Sequence, residues 1–138
     1  MTIWYKKRRK YKYTLFRDYT FYSDIVPHEA GMWGLLGITD TGILTIKQGY
    51  AWDGPSGPTV DTHTFMRGSL VHDALYQLMR ERKIDQNQRK RADEILREIC
   101  LSDGMAKVRA AWVYAGVRAG AAASARPNLL AAPNIFKD

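Results

Sequence analysis

The sequence predicts a single α+β domain: an N-terminal antiparallel β-meander, then an antiparallel helix hairpin and a third packing helix. Three observations carry that expectation. Residues 1–48 are rich in short aromatic and β-branched runs separated by turn residues. Residues 49–61 form a Gly/Pro-rich loop, and from residue 62 to 126 apolar side chains recur at helical spacing. A chain of 138 residues is one domain's worth and buries roughly two-thirds of its unfolded surface. At 46% hydrophobic and 25% charged, its composition is that of a globular chain and not a disordered one. The domain is expected over 1–126, with 127–138 as a tail.

In order along the chain, Tyr11–Phe16 and Tyr19–Tyr22 suit a half-buried pleated surface. Asp24–Gly31, containing Pro27, reads as a loop. Trp33–Ile38 leads into the turn Thr39-Asp40-Thr41-Gly42, and Ile43–Ile46 follows as a strand. Gly49–Pro58 holds three glycines and two prolines, which argues against any regular element there. The first helix is expected from about Thr64 to Glu81, capped by Asp61 or Thr62, with Leu70, Val71, Ala74, Leu75, Leu78 and Met79 buried. The second is expected from about Gln86 to Leu101, with Asp85 as N-cap and Ser102-Asp103-Gly104 as its stop. Ala92, Ile95, Leu96 and Ile99 form its apolar face. The third covers about Met105 to Ser124, with Val108, Ala111, Trp112, Ala115 and Ala119 on one side and Pro127 ending it.

The net charge of +7 is concentrated at the start of the chain. Residues 1–20 carry seven Lys/Arg against Asp18 alone, whereas the remaining residues carry 14 basic and 13 acidic groups. Lys6, Lys7, Arg8, Arg9 and Lys10 could bind an anionic membrane surface, an acidic protein or nucleic acid. The plainer alternative is a charged strand edge that discourages aggregation. Nucleic-acid binding would rest on this charge alone, because no recognition-helix signature accompanies it. No uncharged apolar run approaches the ~20 residues of a spanning helix. Nor does an apolar stretch follow the first charges, so a secretory signal peptide is not expected. The single Cys100 excludes an internal disulfide framework.

The chemistry-bearing stretch is His72-Asp73-Ala74-Leu75-Tyr76, taken with Asp93. His72 and Tyr76 share a helix face, while Asp73 points about 100° around the axis. His72 lies nine residues before the interhelical turn and Asp93 about seven after it. At 1.5 Å per residue the two levels differ by about 3 Å, so a carboxylate can reach the imidazole across the pair. A buried Asp holding a His fixes its tautomer and raises its basicity, as a general base requires. The alternative is a satisfied core histidine in a structural polar network. Asp53 could join Asp73 around a hard cation such as Ca²⁺, with loop carbonyls and water completing the shell. Asp53-Gly54-Pro55 could equally be only a turn. Cys100 lacks a nucleophile's context, Gly-Pro-Ser-Gly-Pro lacks the ending of a phosphate loop, and no Cys/His spacing suggests zinc.

Two resemblances are carried by these residues. Gly49-Tyr50-Ala51-Trp52-Asp53 followed by His72-Asp73-Ala74-Leu75-Tyr76 and Ala92-Asp93 looks like a family of short bacteriophage and prophage proteins of unknown function. The match spans about residues 45–120 and implies a phage origin, with the protein in the host cytoplasm or the virion. More distantly, His72, Asp73, Tyr76 and Asp93 resemble the catalytic pattern of the phospholipase A2 superfamily in type and order. That likeness implies His72 as the group activating water, Asp93 as its orienter and Tyr76 as the steadying hydroxyl. Asp73 would be a Ca²⁺ ligand, Asp53 an acidic candidate ligand, and Trp52, Gly54 and Gly57 sources of loop carbonyls. The chain departs from the superfamily's usual calcium-loop glycine pattern, and Pro55 and Pro58 remove backbone donors.

The function expected is a phage-encoded, Ca²⁺-dependent lipid esterase acting at an anionic phospholipid surface. The alternative is a non-enzymatic virion component or host-interaction protein in which the His-Asp-Tyr-Asp cluster is structural.

Overall fold

A computed structural model describes residues 3–8, 12–53, 62–120 and 125, with the side chains of 6–8, 12 and 62 outside that description. Among the described residues, the N-terminal half holds seven short strands in two antiparallel sheets. β1 (Tyr5–Arg8), β2 (Lys12–Leu15) and β7 (Ala51–Trp52) form one, in the order β1-β2-β7. The other contains β3 (Tyr19–Tyr22), β4 (Gly31–Trp33), β5 (Leu36–Ile38) and β6 (Ile43–Ile46), in the order β3-β6-β5-β4. Register explains which side faces the core. Leu36 sits opposite Ile46 and Ile38 opposite Leu44, so all four project to one face, and all four are buried. Each such side chain contributes about 1.5–3 kcal/mol by leaving water.

The turn expected at Thr39–Gly42 is present. Thr39 Oγ1 accepts the Ile43 amide at 2.9 Å, and Gly42 adopts a φ of 98°. A Cβ there would lie 2.5 Å from the Ser23 carbonyl oxygen, so glycine is required on both counts. Two local readings are corrected. The loop from Asp24 ends one residue early, because Gly31 opens β4, which turns through Gly34 and Leu35 into β5. The Gly/Pro run is not wholly irregular either. Ala51 and Trp52 pair with Thr14 and Tyr13, because a strand of two residues needs only a partner edge, not a β-rich sequence.

The described residues then form the helices α1 (Thr62–Arg80), α2 (Arg89–Ser102) and α3 (Lys107–Gly120). The expected N-cap Asp61 and the Thr62 side chain lie outside the described residues. α1 ends with Arg82 at φ 65°, where the Lys83 amide reaches back to the Leu78 carbonyl and the Arg82 amide to that of Met79. α2 ends in the same way, through Gly104 at φ 102°, as its sequence predicts. Asp85 does cap the second helix, but the first turn is a 3₁₀ segment, Gln86–Gln88, whose Asn87 amide donates to Asp85 at 2.8 Å. α1 and α2 pack as the expected hairpin. At Gly68 an added Cβ would meet Leu96 Cδ1 at 2.9 Å, so the two helices run very close there.

The orientation of α3 is the main correction. Val108, Ala111, Trp112, Ala115 and Ala119 are all exposed, Trp112 to 74%. The inward face is instead Ala110, buried completely, with Val113 and Val117 against Leu96, Cys100 and Met105. Sheets and helices meet through Trp52, whose indole N–H donates to Ser69 Oγ at 3.0 Å while that hydroxyl donates to the Met66 carbonyl. Arg67 on α1 forms a two-pronged pair with Asp103 and a further bond to the Tyr19 hydroxyl. The core is thus shared between layers. None of the described helices is long and apolar enough to cross a membrane.

Candidate active site

His72 and Tyr76 stand one turn apart on α1 and face Asp93 on α2, as their axial levels predict. His72 Nε2 lies 2.6 Å from Asp93 Oδ1, and the Tyr76 hydroxyl donates to that same oxygen at 2.6 Å. The imidazole and phenol rings lean on each other, with centroids 4.2 Å apart. Asp93 is fully buried, and His72 is only 7% exposed. Burial pushes the Asp93 carboxyl upward, but hydrogen bonds from His72 and Tyr76, the His72 charge and a bond from Arg118 outweigh it. The net effect holds Asp93 below the usual carboxylate range. An ionised carboxylate only accepts, so Nε2 carries a proton, and in the neutral imidazole Nδ1 is the acceptor nitrogen. Burial, then the bond to Asp93, keeps Tyr76 protonated well above its ordinary range.

The second Asp93 oxygen is held by Arg118, a residue that the sequence reading did not place, with Arg89 nearby. Arg118 Nη1, from α3, donates to Oδ2 at 2.8 Å. Arg89 Nη1, one turn before Asp93 on α2, is 3.6 Å from the same atom. Arg118 was missed because one of two arginines in an Ala-rich helix carries no spacing signal. Only the corrected Val113 and Val117 face brings it inward. Asp93 therefore gathers side chains from all three helices.

Asp73 points away from that network, as expected for its helical position, and meets Asp53 at the end of β7. The Asp53 amide donates to the Asp73 carboxylate, and the two negative charges repel. Burial, chiefly, pushes Asp73 up to about 6; His72 and Arg80 pull it down, and Asp53 raises it further. The Tyr50 phenol is raised as well, by burial and then by the Asp73 charge. Its hydroxyl donates to Gln77 Oε1 at 3.1 Å. Among the described residues no set of three or more His, Cys, Asp or Glu converges on a metal position. The Asp53–Asp73 pair nonetheless fits a hard cation in donor type, because both side chains offer carboxylate oxygens. Trp52 is buried in β7, and Gly54 and Gly57 lie outside the described residues.

Of the basic run, the Lys6, Lys7 and Arg8 backbone forms the edge strand β1, and Arg9 and Lys10 lie outside the described residues. Cys100 is buried, with its thiol pushed up to about 12 by burial, which suits a core residue and not a nucleophile. A cavity of about 560 Å³ lies elsewhere, between Ile3, Tyr5, Met66, Arg67 and Asp103, and includes none of the His72 cluster.

A family model described as "Protein of unknown function (DUF1353)" matches residues 37–117. The chain belongs to this family. The matched span runs from β5 into α3 and includes Asp53, His72, Asp73, Tyr76, Arg89 and Asp93. No curated protein and no solved structure matches the chain.

Proposed function

We propose that the protein is a phospholipase A2-like lipid esterase, with His72 as general base. The observation that carries this reading is the 2.6 Å bond between His72 Nε2 and an Asp93 oxygen that Tyr76 also holds. In the proposed reaction His72 Nδ1 takes a proton from water as the oxygen attacks the ester carbonyl. The ester C–O bond then breaks, and the imidazolium returns the proton to the leaving alkoxide, giving a fatty acid and a lysophospholipid. Asp93 keeps the ring in the required tautomer and stabilises the imidazolium. Ca²⁺ held by Asp53 and Asp73 would, when bound, polarise the ester carbonyl. The motif likeness supports a phage-encoded protein, in the host cytoplasm or the virion.

A second reading is favoured by Arg118. Its bond to Asp93 ties α3 to the other helices, which suits a structural polar knot in a non-enzymatic virion or host-interaction protein. Fatty-acid release from phospholipid vesicles, with Ca²⁺ and then with chelator, separates the two. The esterase reading expects His72→Ala to abolish release and Asp93→Asn to lower it strongly, with the fold retained. Asp73→Asn should be partly rescued by excess Ca²⁺. Wild-type protein that hydrolyses no common phospholipid class would leave the structural reading.

A further inference from the structure

We propose that Arg89 and Arg118 form a binding site for a phosphate-bearing ligand beside Asp93. As the seat of a phospholipid headgroup the inference rests on the esterase reading; as an anion site it stands without it.

The charges do not balance. Two guanidinium groups meet at one carboxylate oxygen, and Asp93 is the only acidic partner of either among the described residues. One positive charge is left over beneath a fully buried carboxylate. The hydrogen bonding is incomplete as well. The Arg89 side chain bonds the Tyr76 hydroxyl, but its buried Nη1, 3.6 Å from Asp93, has no acceptor of its own. A buried charged donor left without an acceptor is costly. α2 also opens on Arg89, Lys90 and Arg91 with no acid in its first turn, opposite to what the helix dipole favours. Arg91 is already engaged by Asp24, Glu94 and Glu98, whereas Lys90 is exposed.

Arg118 is the open side of this cluster, with 31% of its side chain accessible. An anion arriving there would be shared between two planar forks from different helices. A tetrahedral oxyanion offers oxygens in several directions, so it suits two non-coplanar guanidinium groups better than a flat carboxylate does. Its charge would relieve the Arg89–Arg118 repulsion.

Calorimetric titration of the full chain with inorganic phosphate and with glycerol 3-phosphate, against acetate at matched ionic strength, tests the site. Saturable binding of both phosphates but not acetate is expected. Arg89→Gln and Arg118→Gln should each weaken it by roughly tenfold or more, that is by at least ~1.4 kcal/mol. Arg118→Gln also frees Asp93, so Arg89→Gln carries the test if the first variant melts early. No saturable phosphate binding, or binding undiminished in Arg89→Gln, would overturn the proposal. Competition by phosphatidylglycerol vesicles would support a lipid headgroup as the ligand. Phosphate binding without such competition supports a soluble phosphate compound. Phosphate binding in a protein that hydrolyses no lipid would leave the site standing and remove the esterase reading.

Discussion

Arg118 on α3 and His72 on α1 each hold one oxygen of the same carboxylate, Asp93. Neither helix can move relative to α2 without breaking a charge-assisted bond in a buried setting. Removal of the shared anion should therefore be far costlier than removal of any one partner.

Asp93→Ala is expected to destabilise the fold by about 3–5 kcal/mol, because it strands buried guanidinium, imidazole and phenol groups. Asp93→Asn should cost less, since the amide oxygen still accepts. Urea denaturation of both variants checks this, and equal small losses would show that the network is not cooperative.

Stability should change with pH in two opposite windows. Asp73 is raised in the folded state to about 6 from an ordinary 3.8, so the native protein holds this proton more tightly. Its stabilising effect is complete below pH ~3.8 and fades as pH rises through about 6. Asp93 has the opposite sign, because its carboxyl is depressed. Its contribution is present above pH ~3.9 and is lost as pH falls through its lowered folded value. Melting temperatures across pH 3–7 should show both, and Asp73→Asn should flatten only the upper window.

Arg82→Gly should stabilise the protein by about 0.5–1 kcal/mol. Arg82 occupies the left-handed region at φ 65°, its side chain is exposed, and glycine relieves the strain of a Cβ there. Chemical denaturation checks it. A loss of stability would mean that the arginine side chain contributes more than its backbone costs.

The two faces of α3 should respond very differently to substitution. Trp112→Ser, on the outward face, should change stability by no more than ~0.5 kcal/mol. Ala110→Leu, on the inward face, should cost about 1–3 kcal/mol by overpacking against α2. The reverse order in a denaturation series would restore the face that the apolar pattern suggested.

Neutralising Lys6, Lys7, Arg8, Arg9 and Lys10 together should weaken sedimentation with anionic vesicles, and added salt should act in the same direction. Binding that ignores both treatments would leave the run as the charged edge that β1 presents.

The His72–Asp93 bond was legible because two helices joined by a short turn fix axial height, and residue counting then aligns the side chains. The α3 orientation was not. Alanines lie on both its faces, and bulky residues do too: Val113 and Val117 inward, Val108 and Trp112 outward. Periodicity alone cannot choose between such faces; α2 chooses, by presenting Leu96 and Cys100 to Ala110. β7 was hidden for a different reason. Its two residues owe their strand geometry to β2, nearly forty positions earlier in the chain, and not to their own propensities.

Asp53 follows directly on that same two-residue strand. β7 lies at the edge of its sheet and is secured by two paired residues and the Trp52–Ser69 bond. If it detaches, Asp53 leaves Asp73, and a cation bridging the pair would lose half its carboxylate charge. Cation affinity would then equal the intrinsic value scaled by the fraction of molecules with β7 docked. A substitution at Ser69, one turn of α1 from Asp73, would thereby tune binding of the proposed cation without altering either carboxylate.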